Sequence, residues 1–275
     1  MKAESYCKDC LKALARQVVA LSHGGEGLVA SAFHLVETLF DADRPPTEVS
    51  NRLLKYVRGE TGVYDPYEER KEIEFRRAVA AFSKLKGFFP DTLEGALRSS
   101  AFGNGGDFFR EHSYDVSTME FVGDVAKIAH QVYISRKILV LGDNLGDFVF
   151  DLPLLHLLRR EEKDLFYAVK EHPVQNDMSL SDVTRFMAHD MWEGIISTGT
   201  DEVGLRREEM TGVIEECWED GSMIIAKGMG NYETVSEYDR QRPVVYVMSV
   251  KCRTVAGALG LKIGTYTALA GGDHG

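Results

Sequence analysis

Residues Lys137 to Asp151 read KILVLGDNLGDFVFD, and this stretch decides how the rest of the chain is read. Ile138 to Leu141 is aliphatic and partly β-branched, follows Arg136-Lys137 and stops at Gly142, which is the pattern of a strand buried on both faces. Asp143 and Asn144 then stand just past its carboxyl end, where open α/β sheets bind ligands. From Gly146 through Arg160 the apolar positions recur at helical spacing, with Pro153 near the first turns, as a crossover helix requires. A second apolar run, Leu165 to Val169, leads into a loop holding Asn176 and Asp177. Parallel neighbours joined by that helix place their carboxyl ends about 4.8 Å apart, so Asp143, Asn144 and Asp177 are expected to converge.

Two carboxylates about 4 Å apart repel by about 4 kcal/mol at an effective dielectric near 20. A bound cation is the simplest compensation. Two carboxylates and an amide oxygen are hard ligands suited to magnesium, manganese or a similar ion, whereas zinc recruits His or Cys. The alternative reading of each Asp is a helix cap.

The 275 residues are 44% hydrophobic and 27% charged, enough for one large or two moderate domains with a sizeable core. No apolar run approaches the roughly 20 residues of a membrane helix and MKAESYCKDC has no secretory apolar segment, so a cytoplasmic protein is expected. The net charge of -11, with Lys and Arg scattered among carboxylates, argues against a nucleic-acid footprint.

Cysteines stand at 7, 10, 217 and 252, too few and too spread for a disulfide scaffold. Cys7-x-x-Cys10 suits half of a metal site or a redox pair, but no second Cys or His pair has zinc-finger spacing. Simple helix-face packing is the alternative, and Cys252 reads as a small buried residue. His172 and His189 have no partner at metal spacing, so a structural role is expected for both. Asp151, eight residues after Asp143, reads as a cap or an orienter of loop amides.

From Cys7 to about Phe102 the pattern is helical. One face carries Leu11, Leu14, Val18 and Val19, a second Val29, Phe33 and Val36, and a third opens at Pro45-Pro46 and carries Leu53 and Val57. Asp65-Pro66 caps a fourth helix reaching Lys86, and Leu93 to Phe102 forms a fifth before Gly103-Asn104-Gly105-Gly106. Ser117 to Ser135 reads as helical too. Strand and helix signals then alternate through Ile138–Leu141, Leu165–Val169, Gly194–Ile196, Ser222–Ala226 and Val244–Met248. This predicts a three-layer α/β/α domain with a mainly parallel sheet over residues 131–275, behind an all-helical domain over residues 1–130.

The strand exits are polar and glycine-rich. Gly142-Asp143-Asn144, His172 to Asp177, Ser197 to Asp201, Lys227 to Asn231, and Ser249 with Lys251 together make an anion site plausible, with Lys227 supplying positive charge. No G-x-G-x-x-G follows the first strand and no Walker pattern occurs, which disfavours dinucleotide and P-loop readings.

In this order, the chain resembles the metal-dependent damage-control phosphatases of the domain-of-unknown-function 89 group, in a Cys-x-x-Cys-bearing subfamily of archaea and bacteria. The resemblance rests on Cys7-x-x-Cys10 with Arg16-Gln17, Asp65-Pro66-Tyr67 with Lys71, Gly103-Asn104 with Asp107-Phe108, the DNLGDFVFD stretch, Asn176-Asp177, KGMGNYE from Lys227 to Glu233, and Lys251-Cys252 with Val255-Ala256. It spans most of the chain. It implies a divalent ion, manganese, nickel, cobalt or magnesium, held by Asp143, Asn144 and Asp177. Asp143 and Lys227 become the catalytic candidates, and Asp147, Asn176, Asn231, Glu233, Asn104 and Asp107 the substrate-binding ones. The usual Asp-Asn-Ala-Gly-Glu of the first motif is Asp-Asn-Leu-Gly-Asp here, with Leu145 for alanine and the shorter Asp147 for glutamate. The expected activity is hydrolysis of phosphate monoesters of small metabolites, sugar phosphates or damaged phospho-metabolites, by water rather than through an aspartyl-phosphate on Asp143. The expected partner is a small phosphorylated metabolite, with neither nucleic acid nor membrane. A nucleotide- or S-adenosylmethionine-dependent transferase and a noncatalytic metal or redox module centred on Cys7 and Cys10 are the competing readings.

Overall fold

The computed structural model describes residues 2–105, 116–186, 193–239 and 242–271. Five helices come first: α1 (Cys7–Leu21), α2 (Glu26–Leu39), α3 (Pro46–Thr61), α4 (Glu68–Leu85) and α5 (Leu93–Gly105). There follow β1 (Phe121–Gly123), α6 (Val125–Ile134), β2 (Lys137–Leu141), α7 (Leu145–Arg160), β3 (Asp164–Val169), α8 (Leu180–Phe186) and β4 (Ile195–Ser197). The chain closes with α9 (Gly212–Glu219), β5 (Met223–Lys227), α10 (Gly228–Val235), β6 (Val244–Ser249), α11 (Arg253–Leu259) and β7 (Tyr266–Ala270).

Local chemistry sets the helix ends. Pro46 stands at the start of α3, where its missing N–H is not needed, and Gly62 closes it in the left-handed conformation at φ 68°. Ahead of α4, Asp65 Oδ1 accepts from the Tyr67 N–H at 3.0 Å, and Glu68 and Glu69 occupy the positive end of the helix dipole. Lys71 is wholly buried one turn further on, with Nζ 2.7 Å from Asp65 Oδ2 and 2.8 Å from Asp182 Oδ2. This pairing fastens α4 to the start of α8.

The seven strands lie in the order β1-β7-β6-β5-β2-β3-β4. Neighbours run parallel except β6 and β7, which are antiparallel. The alternation of side chains divides the core in two. Ile138, Val140, Ile225 and Val247 face a layer built by α4, α5, α6 and α7, while Leu139, Leu141, Ile224 and Met248 face α9, α10 and α11. This is the expected three-layer α/β/α arrangement. Helices α1 to α3 bury Leu11, Ala15, Val18, Val36, Leu53 and Val57 among themselves, with Val174 and Val203 from the sheet's exit loops packed into the same cluster.

Some details depart from the sequence reading, among them the start of α4, which begins at Glu68 with Tyr67 at its N-cap rather than at Asp65-Pro66. Ser117 to Ser135 is not helical throughout, because Phe121–Gly123 pairs with β7 before α6 begins. Helix α5 does not stop at Phe102 but runs through Gly103 and Asn104. A Cβ on Gly103 would lie 2.6 Å from Phe150 Cβ, so the glycine that reads as a break is the residue that lets α5 cross α7 closely. Strand β1 therefore precedes residue 130, where the α/β/α part was expected to begin, and α5 covers a face of the sheet.

Candidate active site

From β2 the chain moves outward to β3 and β4, then returns to the other side of β2 for β5 and continues to β6. Between β2 and β5 the connections depart in opposite directions, which opens a crevice at the strands' carboxyl ends. Asp143 and Gly228 face each other there. Gly228 has φ +77°, and a Cβ on it would stand 1.9 Å from Asp143 Oδ2, so only glycine leaves room for this carboxylate.

The exits of β2 and β3 are knitted together as their adjacency predicts. Met178 N–H donates to Asp143 O at 2.8 Å, Leu145 N–H donates to Asn176 O at 3.1 Å, and Asn144 and Asp177 form a backbone bridge. Asn144 stands at the N-cap of α7 with extended backbone at φ -67° and ψ 150°. Asp143, Asn144 and Asp177 thus come together.

A third carboxylate joins them. Asp147, on the first turn of α7, is 1% exposed and shares one donor with Asp143. Asn104 Nδ2, from the last turn of α5, donates to Asp143 Oδ2 at 2.6 Å and to Asp147 Oδ2 at 2.7 Å, while its Oδ1 accepts from Ser249 N–H at 3.0 Å. Asn144 Nδ2 stands 3.4 Å and 3.5 Å from the same two carboxylate oxygens.

Desolvation pushes the Asp143 carboxyl up to about 6, helped by the charge of Asp177, against the pull of Lys251, Lys227 and Asn104. Burial followed by the charge of Asp143 pushes Asp147 up to about 7. Asp177 is also raised by burial, with Lys170 opposing. Lys170, buried just past the end of β3, has Nζ 3.7 Å from Asp177 Oδ2 and donates to Gly204 O at 2.7 Å. The result is a desolvated, mutually repelling set of carboxylates.

These residues fit a divalent cation. The donors are hard oxygens, and positive charge among them offsets the desolvation, and after it the mutual repulsion, that raise their pKa values. Among the described residues no three His, Cys, Asp or Glu side chains close around one point; the proposed ligands are two carboxylates and an amide.

Several expected substrate contacts are otherwise engaged. Lys227 is wholly buried, with Nζ 2.7 Å from Asp151 Oδ1 and donating to Ser100 O at 2.8 Å. It acts on Asp143 and Asp147 through its field rather than by presenting its ammonium to a ligand. Asp151, read as a cap or an orienter of loop amides, is the counter-ion of Lys227, and it also accepts from Ser100 Oγ at 2.6 Å and Tyr167 OH at 2.9 Å. Asn231 Nδ2 donates to Gly142 O at 3.1 Å and Lys227 O at 2.8 Å, which ties the ends of β2 and β5. Asn176 Nδ2 donates to Glu74 Oε2 at 3.3 Å. Glu233, on α10, is pushed up to about 7 by desolvation. His172 hydrogen-bonds through Nδ1 with Tyr64 OH at 3.0 Å. Asp107 and His189 lie outside the described residues.

Two further cations stand near the carboxylates: Lys251, which the sequence reading placed among the strand exits of the anion site, and Lys170, which it did not single out. Lys170 ends the β3 run, and Lys251 is the exposed residue two positions past β6 whose charge opposes the rise at Asp143 and Asp147. The sequence carries a signal for both: each Lys closes an apolar run at the sheet edge that bears the acids.

Residues 6–266 match the damage-control phosphatase ARMT1-like domain. An uncharacterized protein of Methanocaldococcus jannaschii is 28% identical over 257 residues, covering 86% of this chain and 84% of that protein. Damage-control phosphatases of Pyrococcus horikoshii and Archaeoglobus fulgidus are 26% identical over 275 residues and 24% over 289. They cover 94% and 98% of this chain, and 94% and 99% of their own lengths. The crystal structure of a P. horikoshii protein of the DUF89 family superposes with a TM-score of 0.85 at 24% identity, over 98% of this chain and 99% of the other. The match to the domain over nearly the whole chain shows that this protein belongs to the damage-control phosphatase ARMT1-like family.

Proposed function

We propose that this protein is a metal-dependent phosphatase that hydrolyses phosphate monoesters of small metabolites, sugar phosphates or damaged phospho-metabolites among them, with a divalent ion held by Asp143, Asn144 and Asp177. One observation carries the reading: at the switch point of a parallel sheet Asp143 and Asp147 share the Asn104 donor, Asp177 stands on the loop bridged to Asn144, and all three carboxyls are raised by desolvation and then by neighbouring charge. Manganese, nickel, cobalt and magnesium all accept this ligand set. When bound, such an ion supplies concentrated positive charge that polarises a phosphoryl group and an attacking water.

The chain's own residues do the rest. Asp147 is the carboxylate left over from the ligand set; buried on the first turn of α7 and clamped by Asn104 at 2.7 Å, it is placed to exchange a proton with water or a departing alcohol. Lys251, exposed just past β6, is a cation placed to meet phosphate oxygens, while Lys227 is fixed by Asp151 and lends field. Phosphoryl transfer is mostly positioning and charge neutralisation, which these parts provide. Asp143 is held by Asn104 and serves as a ligand, so attack by water is favoured over an aspartyl-phosphate.

The test is phosphate release from a panel of sugar phosphates and p-nitrophenyl phosphate by metal-stripped protein, resupplied with single divalent ions. Turnover that returns with an ion, and ranks the esters, is expected. Saturable S-adenosylmethionine binding with no ester hydrolysed under any ion would replace this reading with a transferase.

A further inference from the structure

Three of the four cysteines, from opposite ends of the chain, meet beside the loop that carries Lys251. Cys7 opens α1 and is buried; its Sγ accepts from Glu4 N–H at 3.4 Å and lies 3.5 Å from Thr254 Oγ1. The Tyr6 hydroxyl lies 2.7 Å from the same Thr254 oxygen. Cys252 caps α11, with its Sγ accepting from Val255 N–H at 3.5 Å, and directly follows Lys251. Cys10 is exposed on α1 one turn after Cys7. Its thiol is pushed up by partial burial and then by Cys7, Cys252, Asp9 and Glu233, so these groups share one field.

We propose that Cys7 and Cys10 form a redox-active dithiol whose oxidation is transmitted through Thr254 to the Lys251 loop. Residues three apart on a helix have Cβ atoms about 5–6 Å apart, and a disulfide needs about 3.8 Å. The first turn of α1 must therefore tighten, which draws Cys7 Sγ away from Thr254. The oxidant is a low-molecular-weight disulfide of the glutathione class. Cys10 is the exposed thiol the reagent reaches first; its thiolate, made scarcer by the raised pKa, attacks one of the sulfurs and releases one small thiol, and Cys7 thiolate then displaces the second from the mixed disulfide. One S–S bond forms in the protein and one breaks in the reagent. The two electrons and two thiol protons leave on the two released thiols.

Formation of the disulfide stands apart from the phosphatase reading, whereas its effect on Lys251 rests on it. The test equilibrates the full chain in glutathione buffers of graded poise, alkylates the free thiols and maps the peptides by mass spectrometry. A Cys7–Cys10 disulfide is expected, lost in Cys10→Ser, where the altered side chain is exposed, and retained in Cys252→Ser and Cys217→Ser. Thiols fully alkylated at the most oxidising poise, a glutathione adduct on Cys10 that never resolves, or a bond to Cys252 would overturn the pairing. In a second arm, oxidised protein should show KM for a phosphate ester raised about 2- to 10-fold, the worth of one hydrogen bond, with kcat little changed and no such shift in Cys10→Ser. A disulfide that forms without moving KM would overturn the transmission to Lys251. Absence of ester hydrolysis in either redox state would count against the phosphatase reading, and the peptide map alone would then decide whether the dithiol forms.

Discussion

The Asn104 side-chain amide donates to Asp143 at 2.6 Å, and with its second contact to Asp147 at 2.7 Å it holds two desolvated carboxylates that would otherwise repel. The donor comes from the last turn of α5 and its acceptors from the exit of β2 and the start of α7. A helix that precedes the sheet in sequence thus completes the acidic site.

Asn104→Ala removes this shared donor and leaves Ser249 N–H without its acceptor. A buried group so exposed costs about 1–3 kcal/mol, and loss of an outer orienting contact weakens ion binding about 10- to 100-fold. Calorimetric titration of manganese into stripped wild type and variant, beside urea unfolding of each, measures both effects.

Gly228→Ala should disable the site while leaving most of the fold intact. The left-handed backbone costs an alanine about 1–2 kcal/mol, and its Cβ, 1.9 Å from the present position of Asp143 Oδ2, must displace that carboxylate. Ion binding is expected to fall far more than the unfolding midpoint, read by the same two measurements.

The Lys227–Asp151 pair is almost entirely buried, at 0% and 1% exposure. Removing one partner leaves an uncompensated charge, so Lys227→Met or Asp151→Leu should each destabilise by about 3–5 kcal/mol. The double variant should recover much of that loss. Chemical denaturation of all four proteins completes the cycle; additive losses would show that the two charges do not depend on each other.

Desolvation raises the Glu233 carboxyl to about 7 from its ordinary value of 4.5. The folded state then holds this proton more tightly than the unfolded chain, so stability falls as pH rises from about 4.5 to about 7 and levels off above that. Asp143 and Asp147 act in the same direction in metal-free protein. Unfolding midpoints of the stripped protein across this window should be flatter for Glu233→Gln than for wild type.

Much of this arrangement is legible in the residues alone. Ile138 to Leu141 ends in Gly142 and delivers Asp143 to a sheet edge, and Leu165 to Val169 brings Asp177 beside it, because buried parallel strands are short apolar runs with polar exits. Strand β1 is only three residues long, and β7 follows Gly264-Thr265 and mixes Thr267 with alanines. Neither produces an uninterrupted aliphatic signal, so both escape a search for one. The ion pair of Lys227 with Asp151 joins residues far apart in the chain and depends on how α7 lies against β5, which spacing does not encode. Gly103 and Asn104 read as a break because glycine and asparagine favour turns; close packing of α5 on α7 overrides that preference.

The most direct test of the central claim pairs ion binding with phosphate release in metal-stripped wild type and Asp177→Ala. Asp177 is a proposed ligand from the neighbouring strand's exit loop. Wild type is expected to bind one divalent ion and regain turnover with it, and Asp177→Ala, folded, to lose the tight site and at least about 100-fold in turnover. Full ion-dependent phosphate release by folded Asp177→Ala, or ester hydrolysis by stripped wild type that no ion improves, would contradict it.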